Sequence, residues 1–269
     1  MPIARGRARC WRGCDLLTAP DSYVICTSPR SGSTLLCLLL AGTGVAGNPQ
    51  SWFHTPSVAR WAEALGVARE PARDERTLFA DVVAAARKAG AAGSGVFGLR
   101  MQAHSLEFFQ DRLATLFPER QTAAARIEAA FGTTRYIHLH RQDKVAQAVS
   151  YLMAQQSGLW HAAADGREIE RSAPPAEPRY DPVAIGETVA RMQGYDQMWD
   201  DWFAGQGMAP FRVDYDALSD HPRDQLRDVL AALGRDPGAA GQVAVPTMKL
   251  AGATSRDWVR RYREEIGSA

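Results

Sequence analysis

Residues 28–34 read Ser-Pro-Arg-Ser-Gly-Ser-Thr, a short turn that sets a cation, Arg30, beside the hydroxyl donors Ser31, Ser33 and Thr34 and a flexible Gly32. An apolar, β-type run at 23–27 leads into it, and an apolar run with helix formers at 34–41 leads away. The order predicts strand, phosphate loop, helix. Such a turn aims backbone N–H groups at one spot, and the helix N-terminus adds about half a positive charge there, so a phosphate or sulfate is attracted. The nucleotide-triphosphate loop, G-x-x-x-x-G-K-[ST], is not this one: no Lys follows Gly32 and the first Gly is missing. Two further cations fall at the ends of β-type runs: Arg100 after 96–99, with His104 close behind, and Arg141 after 135–140, with Ser150 on the helix that follows. Arg141 with the Ser150 hydroxyl predicts a second anion site, at the far end of a nucleotide whose first phosphate lies in the 30–34 loop.

The elements that must position these groups are legible as an alternation. Strands are expected near 23, 96, 135 and 211, and helices over 57–64, 74–89, 105–117, 121–131, 143–156, 183–203, 222–234 and 255–265, the last capped by Ser255. Alternating strands and helices predict an α/β fold with three layers, a mostly parallel sheet covered on both faces. In such a sheet the loops at the carboxyl ends of the strands form the active cleft. The aromatic segment 50–56, Gln-Ser-Trp-Phe-His-Thr-Pro, is therefore a candidate wall for an acceptor. Residues 168–182, with mixed charge and four prolines, read as a surface excursion, and 238–252 as irregular. His138 and His140 lie within a strand and read as packing residues.

Bulk properties exclude some classes. With 269 residues and 46% hydrophobic content, a single domain over 21–269 can bury a large core, preceded by a loose basic arm over 1–20. A net charge of +1 gives no global field for nucleic acid or an anionic membrane, so anion binding must be local. The arm lacks the apolar core of a secretory signal, and no run reaches the ~18 apolar residues that span a bilayer; a cytoplasmic protein is expected. Of four cysteines, Cys26 and Cys37 fall in an apolar strand and helix as buried free thiols. The Cys10 and Cys14 pair has no matching Cys/His pair to complete a zinc site, and no metal is called for.

Taken together, the loop 28–34, the Arg-x8-Ser spacing from Arg141 to Ser150, the segment 211–218 (Phe-Arg-Val-Asp-Tyr-Asp-Ala-Leu) and the last helix resemble, in order, the sulfotransferases that use 3′-phosphoadenosine 5′-phosphosulfate (PAPS). Arg-Ser-Gly-Ser-Thr-Leu-Leu, the stretch 44–50 and Asp257-Trp-Val-x-Arg-Tyr262 resemble the bacterial carbohydrate branch of that superfamily, which includes trehalose 2-sulfotransferases and lipopolysaccharide sulfotransferases. The resemblance implies a P-loop-like phosphosulfate-binding strand-loop-helix and a cofactor site made of Arg30, Ser31, Gly32, Ser33, Thr34, Arg141, Ser150 and Tyr215, the last near the adenine or else in the core. It also implies sulfuryl transfer to a hydroxyl of a carbohydrate or glycolipid acceptor, and a homodimer.

Sulfuryl transfer needs cations on the sulfonate and leaving phosphate and a base for the hydroxyl proton. Arg30 is expected in the first role with Arg100 as helper. The base is open: where the trehalose enzymes carry a glutamate this chain has Ser51, which leaves His54, His104 or a residue not yet identified. Ser51, Trp52, Phe53 and His54 suit an acceptor sugar, although the aromatics equally suit a packed loop. Two rivals remain. A nucleotide kinase shares the strand-loop-helix but would need the missing Gly-Lys pair and an acidic metal ligand. A catalytically silent cofactor-binding protein is suggested by Ser51.

Overall fold

The computed structural model describes residues 19–68, 74–162, 167–245 and 252–267. Cys10, Cys14 and the expected arm, as far as residue 18, lie outside the described residues, as do residues 246–251 of the irregular stretch. Strand β1 (Ser22–Thr27) is buried along its whole length, and its side chains alternate between two packed layers as the two-residue period requires. Val24 and Cys26 face one layer; Tyr23 and Ile25 face the other. On the first side lie α2 (Val58–Ala64), α3 (Glu75–Ala91), α4 (Leu106–Leu116), α5 (Ala123–Phe131) and the end of α7 (Pro182–Gly205), through Trp61, Val82, Phe109, Ile127, Trp199 and Phe203. On the second lie α1 (Ser33–Gly42), α8 (Tyr215–Asp220) and α9 (Pro222–Ala232), through Leu36, Leu40, Leu218, Leu226 and Leu230.

The sheet order is β2-β1-β3-β6, with β2 spanning Phe97–Gln102, β3 Thr134–His140 and β6 Phe211–Asp214, and all three pairings are parallel. Chain order thus runs from β1 outward to β2 on one side, then to β3 and β6 on the other. The point where that direction reverses is where an open α/β sheet leaves a crevice beyond its carboxyl ends. The loops after β1, β2 and β3 all open there, which is why the three arginines of the sequence can meet.

The remaining helices buttress one side of the crevice. α6 (Lys144–Ser157), α7 and α10 (Ala253–Gly267) pack through Val149, Leu152, Ile185, Trp258 and Tyr262. Side-chain N-caps start several helices: Ser57 accepts from Arg60 N–H, Asp74 from Thr77 N–H and Asp143 from Ala146 N–H. Among the described residues, no helix is long and apolar enough to cross a membrane.

Three expectations differ in detail. The fourth strand, expected over 211–215, ends at Asp214 because the Asp214 carboxylate caps α8 by accepting from Asp216 and Ala217 N–H. Ser255 is not a cap; α10 has already begun at Ala253, and Arg256 N–H bonds back to Gly252. The region read wholly as an excursion contains β5 (Glu168–Arg171), which pairs antiparallel with β4 (Leu159–Ala162) in a two-stranded ribbon. Cys26 and Cys37 are buried free thiols, as expected.

Candidate active site

The loop after β1 is shaped by its own backbone. Arg30 and Gly32 both adopt left-handed conformations, at φ 62° and 86°. Glycine is required at position 32 for space as well, since a Cβ there would sit 2.7 Å from Cδ2 of Tyr215. Thr27 and Ser31 hydroxyls are 2.5 Å apart, and Ser31 also donates to the Ser28 carbonyl at 2.8 Å. Ser31 is fully buried in this internal bracing, so its hydroxyl holds the loop and does not line the cleft. Gly32 stands at the N-cap of α1 and supplies no side-chain cap, so the first turn keeps its N–H groups for another acceptor.

Beyond the loop lies a cavity of about 780 Å³. Arg30, Gly32, Ser33, Thr34, Arg141, Ser150 and Tyr215 all line it, together with Arg100, Ser51, His54 and His104. The groups drawn from sequence therefore converge, but in two clusters whose membership was not foreseen. In the first, Arg30 Nε donates to Ser150 Oγ at 3.0 Å, and Arg141, only 9% exposed, stacks its guanidinium 4.3 Å from the centre of the Tyr215 ring. Arg141 Nη1 also donates to the Arg30 carbonyl at 3.4 Å, while its buried Nε has no hydrogen-bond partner among the described residues. A buried, unpaired guanidinium nitrogen is costly, and an anion seated against it would satisfy it. Burial, first, and the neighbouring Arg141 lower the pKa of Arg30 to about 10, although Tyr215 pulls it up; the side chain remains a cation at neutral pH.

In the second cluster Arg100 Nε donates to Ser51 Oγ at 2.7 Å and its Nη1 to Thr34 Oγ1 at 2.9 Å. Ser51 reaches Arg100 because Gln50 forms a parallel bridge with Leu99 and accepts from Arg100 N–H, which lays the 50–54 segment along the end of β2. The expected separation of Arg30 from the Ser150 site is not the observed arrangement: Arg30 bonds Ser150 directly, and Arg100 is the guanidinium bonded to the loop's Thr34.

The aromatic wall expected from 52–53 is core instead. Phe53 is 1% exposed and caged by Trp61, Phe79, Phe109 and Phe131 at ring separations of 4.6–6.3 Å. Trp52 packs on the same core and donates its indole N–H to the Gly98 carbonyl. Of the segment 50–56, Gln50, Ser51 and His54 line the cavity. His54 sits edge-on to His104, ring centres 4.9 Å apart, with its carbonyl held by Ser105 Oγ at 2.5 Å. Burial and the nearby Arg100 lower the His54 pKa; burial and His54 itself lower that of His104, so both favour the neutral ring. His138 is away from the cleft, buried beside Arg212, which donates to its Nδ1.

Sequence reasoning missed the residues of the β4–β5 ribbon. Arg30 Nη1 donates to the Trp160 carbonyl, His161 Nε2 lies 3.0 Å from Thr34 Oγ1, and Glu170 Oε2 lies 3.5 Å from the same nitrogen. All three residues line the cavity, as do Tyr151 of α6 and Tyr195 of α7; Tyr151 meets Trp160 edge-on at 5.6 Å. The signal available was Asp165-Gly166, a dipeptide that favours hairpin turns, between two short segments.

The profile of the Stf0 sulphotransferase family matches residues 22–265, and the chain belongs to that family. It is 29% identical over 267 residues to a trehalose 2-sulfotransferase of Mycolicibacterium smegmatis, covering 91% of this chain and 96% of that one. It is likewise 29% identical over 267 residues to a trehalose 2-sulfotransferase of Mycobacterium tuberculosis, covering 90% and 94%. A crystal structure of a sulfotransferase from Alicyclobacillus acidocaldarius shares 15% identity and a TM-score of 0.42, over 93% of this chain and 94% of that one.

Proposed function

We propose that this Stf0-family chain moves the sulfuryl group of 3′-phosphoadenosine 5′-phosphosulfate onto a hydroxyl of a carbohydrate acceptor, free or lipid-linked. The observation that carries the reading is the convergence of Arg30, Arg100 and Arg141 with the uncapped N-terminus of α1 on one cavity. At about 780 Å³ the cavity lies within the roughly 300–1,000 Å³ typical of small-ligand sites. Arg141, with its unpaired Nε, and Ser150 suit the 3′-phosphate, and Tyr215 beneath Arg141 suits the base side of the nucleotide. The loop amides, Ser33, Thr34 and Arg100 suit the phosphosulfate, with Arg30 between the two ends. The donor supplies an activated sulfur that an oxygen nucleophile can attack; the arginines stabilise charge that develops on the sulfonate and the departing phosphate.

The acceptor side has the composition of a sugar site, with Tyr151, Trp160 and Tyr195 offering ring faces and Ser51, Gln102, His54 and His104 offering polar groups. The trehalose 2-sulfotransferases among the relatives support a carbohydrate as the acceptor class. Ser51, where the resemblance implies a glutamate, argues that the sugar or the way its hydroxyl is deprotonated differs.

The test is transfer of radiolabelled sulfate from the donor to trehalose and to a pooled glycan and glycolipid extract. Label on a carbohydrate, competed by adenosine 3′,5′-bisphosphate, is the expected result. Tight bisphosphate binding with no labelled carbohydrate in any pool would leave a silent binding protein and sink the enzyme reading.

A further inference from the structure

On that reading of the reaction, one group is missing from the expected place: Ser51 cannot take a proton, and its hydroxyl already accepts from Arg100. We propose that His161, from the β4–β5 ribbon, is the catalytic base of this enzyme, and that Glu170 is its positioning residue. The bond pattern carries the argument. A guanidinium only donates, so Thr34 Oγ1 accepts from Arg100 Nη1, and its own proton is free for His161 Nε2, 3.0 Å away. Nε2 is then the lone-pair nitrogen of a neutral ring, aimed at the end of the phosphosulfate loop. Once Thr34 turns its hydroxyl to an anion in the loop, that lone pair is released at the point where an acceptor hydroxyl must approach. Glu170 Oε2, 3.5 Å from the same nitrogen and 60% exposed on its side chain, receives the N–H that forms and opens onto solvent.

His54 and His104 address each other, edge to face at 4.9 Å. His161 is the ring hydrogen-bonded to the loop itself. In the step, the acceptor's hydroxyl oxygen forms its bond to sulfur while the sulfur–oxygen bond to the donor's 5′-phosphate breaks. That phosphate keeps the electron pair, and the hydroxyl proton goes to His161 Nε2, then past Glu170 to water. The products are a sulfate monoester, adenosine 3′,5′-bisphosphate and one proton.

The electrostatics fit a base that is switched on by its substrate. Burial, then Arg30 from the loop and Arg100 from β2, lower the His161 pKa to about 4. Glu170 from β5 is the carboxylate facing it, and Tyr151 of α6 packs on the adjoining Trp160. An anion between Arg30 and Arg100 offsets the two cations that hold the ring neutral, so its basicity rises when the donor is in place.

The experiment has two arms. Proton NMR of the His161 ring, assigned by its loss in His161→Gln, is followed against pH with and without the donor and in the absence of acceptor; the midpoint is expected to rise by about one unit or more on loading. In steady-state transfer, His161→Gln is expected to lower kcat by about 10²–10⁴-fold and to abolish the acidic limb of the kcat profile. In the wild type kcat falls as pH drops through the loaded midpoint. Glu170→Gln is expected to lose about tenfold in kcat and shift that limb to lower pH, with donor affinity unchanged in both variants. A wild type that transfers sulfate while His161→Gln is equally active, or a midpoint that ignores the donor, overturns the proposal and leaves the function standing. A wild type that transfers nothing overturns both.

Discussion

The two walls of the cavity contrast in how the chain builds them. The proposed donor wall is mostly one continuous stretch, the end of β1, the 28–34 loop and the start of α1, completed by Arg100 of β2, by Arg141 directly after β3 and by Ser150 and Tyr215. The loop's shape follows largely from local conformation, two left-handed residues and internally braced hydroxyls, while Tyr215 from α8 leaves no room for a Cβ at Gly32. The proposed acceptor wall is gathered from Ser51 and His54, Gln102 and His104, Tyr151, the β4–β5 ribbon and Tyr195, segments that meet only through tertiary packing. A wall fixed by local backbone suits an invariant ligand such as a nucleotide, whereas one assembled from separate segments can change its ligand without disturbing the sheet.

Substitutions at three positions sharpen the contrast. The largest effect is expected where the acceptor segment turns out to be core: Phe53→Ala removes a ring packed among four others and should cost about 3–5 kcal/mol of stability in chemical denaturation. Phe53→Leu, which folds more readily, should leave the acceptor KM within about twofold; a KM raised tenfold or more would return Phe53 to the acceptor wall. Next, Arg30→Ala removes the cation proposed to lie between the two ends of the donor and should lower kcat/KM about 10²–10³-fold, with thermal stability little changed. If Arg30→Lys restored full activity, the forked contacts to Ser150 and the Trp160 carbonyl would carry no weight. The smallest is Arg141→Ala, which removes one charge-assisted contact and should weaken donor binding about 10–100-fold.

Sequence and structure agree best where chemistry is local. The strand-loop-helix at 22–42, the parallel strands and the caps Ser57, Asp74 and Asp143 follow from periodicity and capping rules acting over a few residues. The Arg141 to Ser150 spacing is equally local, because both sit on one strand-to-helix unit. What could not be read is which face of an aperiodic loop points inward. In 51–54, Ser51 and His54 turn to the cavity and Trp52 and Phe53 to the core, because Trp61, Phe79, Phe109 and Phe131, from four different helices or their ends, form the cage. Nor did any local pattern pair Arg30 with Ser150 or bring His161 to Thr34, contacts spanning 120 and 127 residues of chain.

The most direct test of two separable walls is a calorimetric titration of adenosine 3′,5′-bisphosphate into the wild type, Arg141→Ala and His161→Gln. A division of labour between the walls predicts that Arg141→Ala weakens binding about 10–100-fold and that His161→Gln binds within about twofold of the wild type. The opposite ranking, with His161→Gln weakened and Arg141→Ala unchanged, would contradict it.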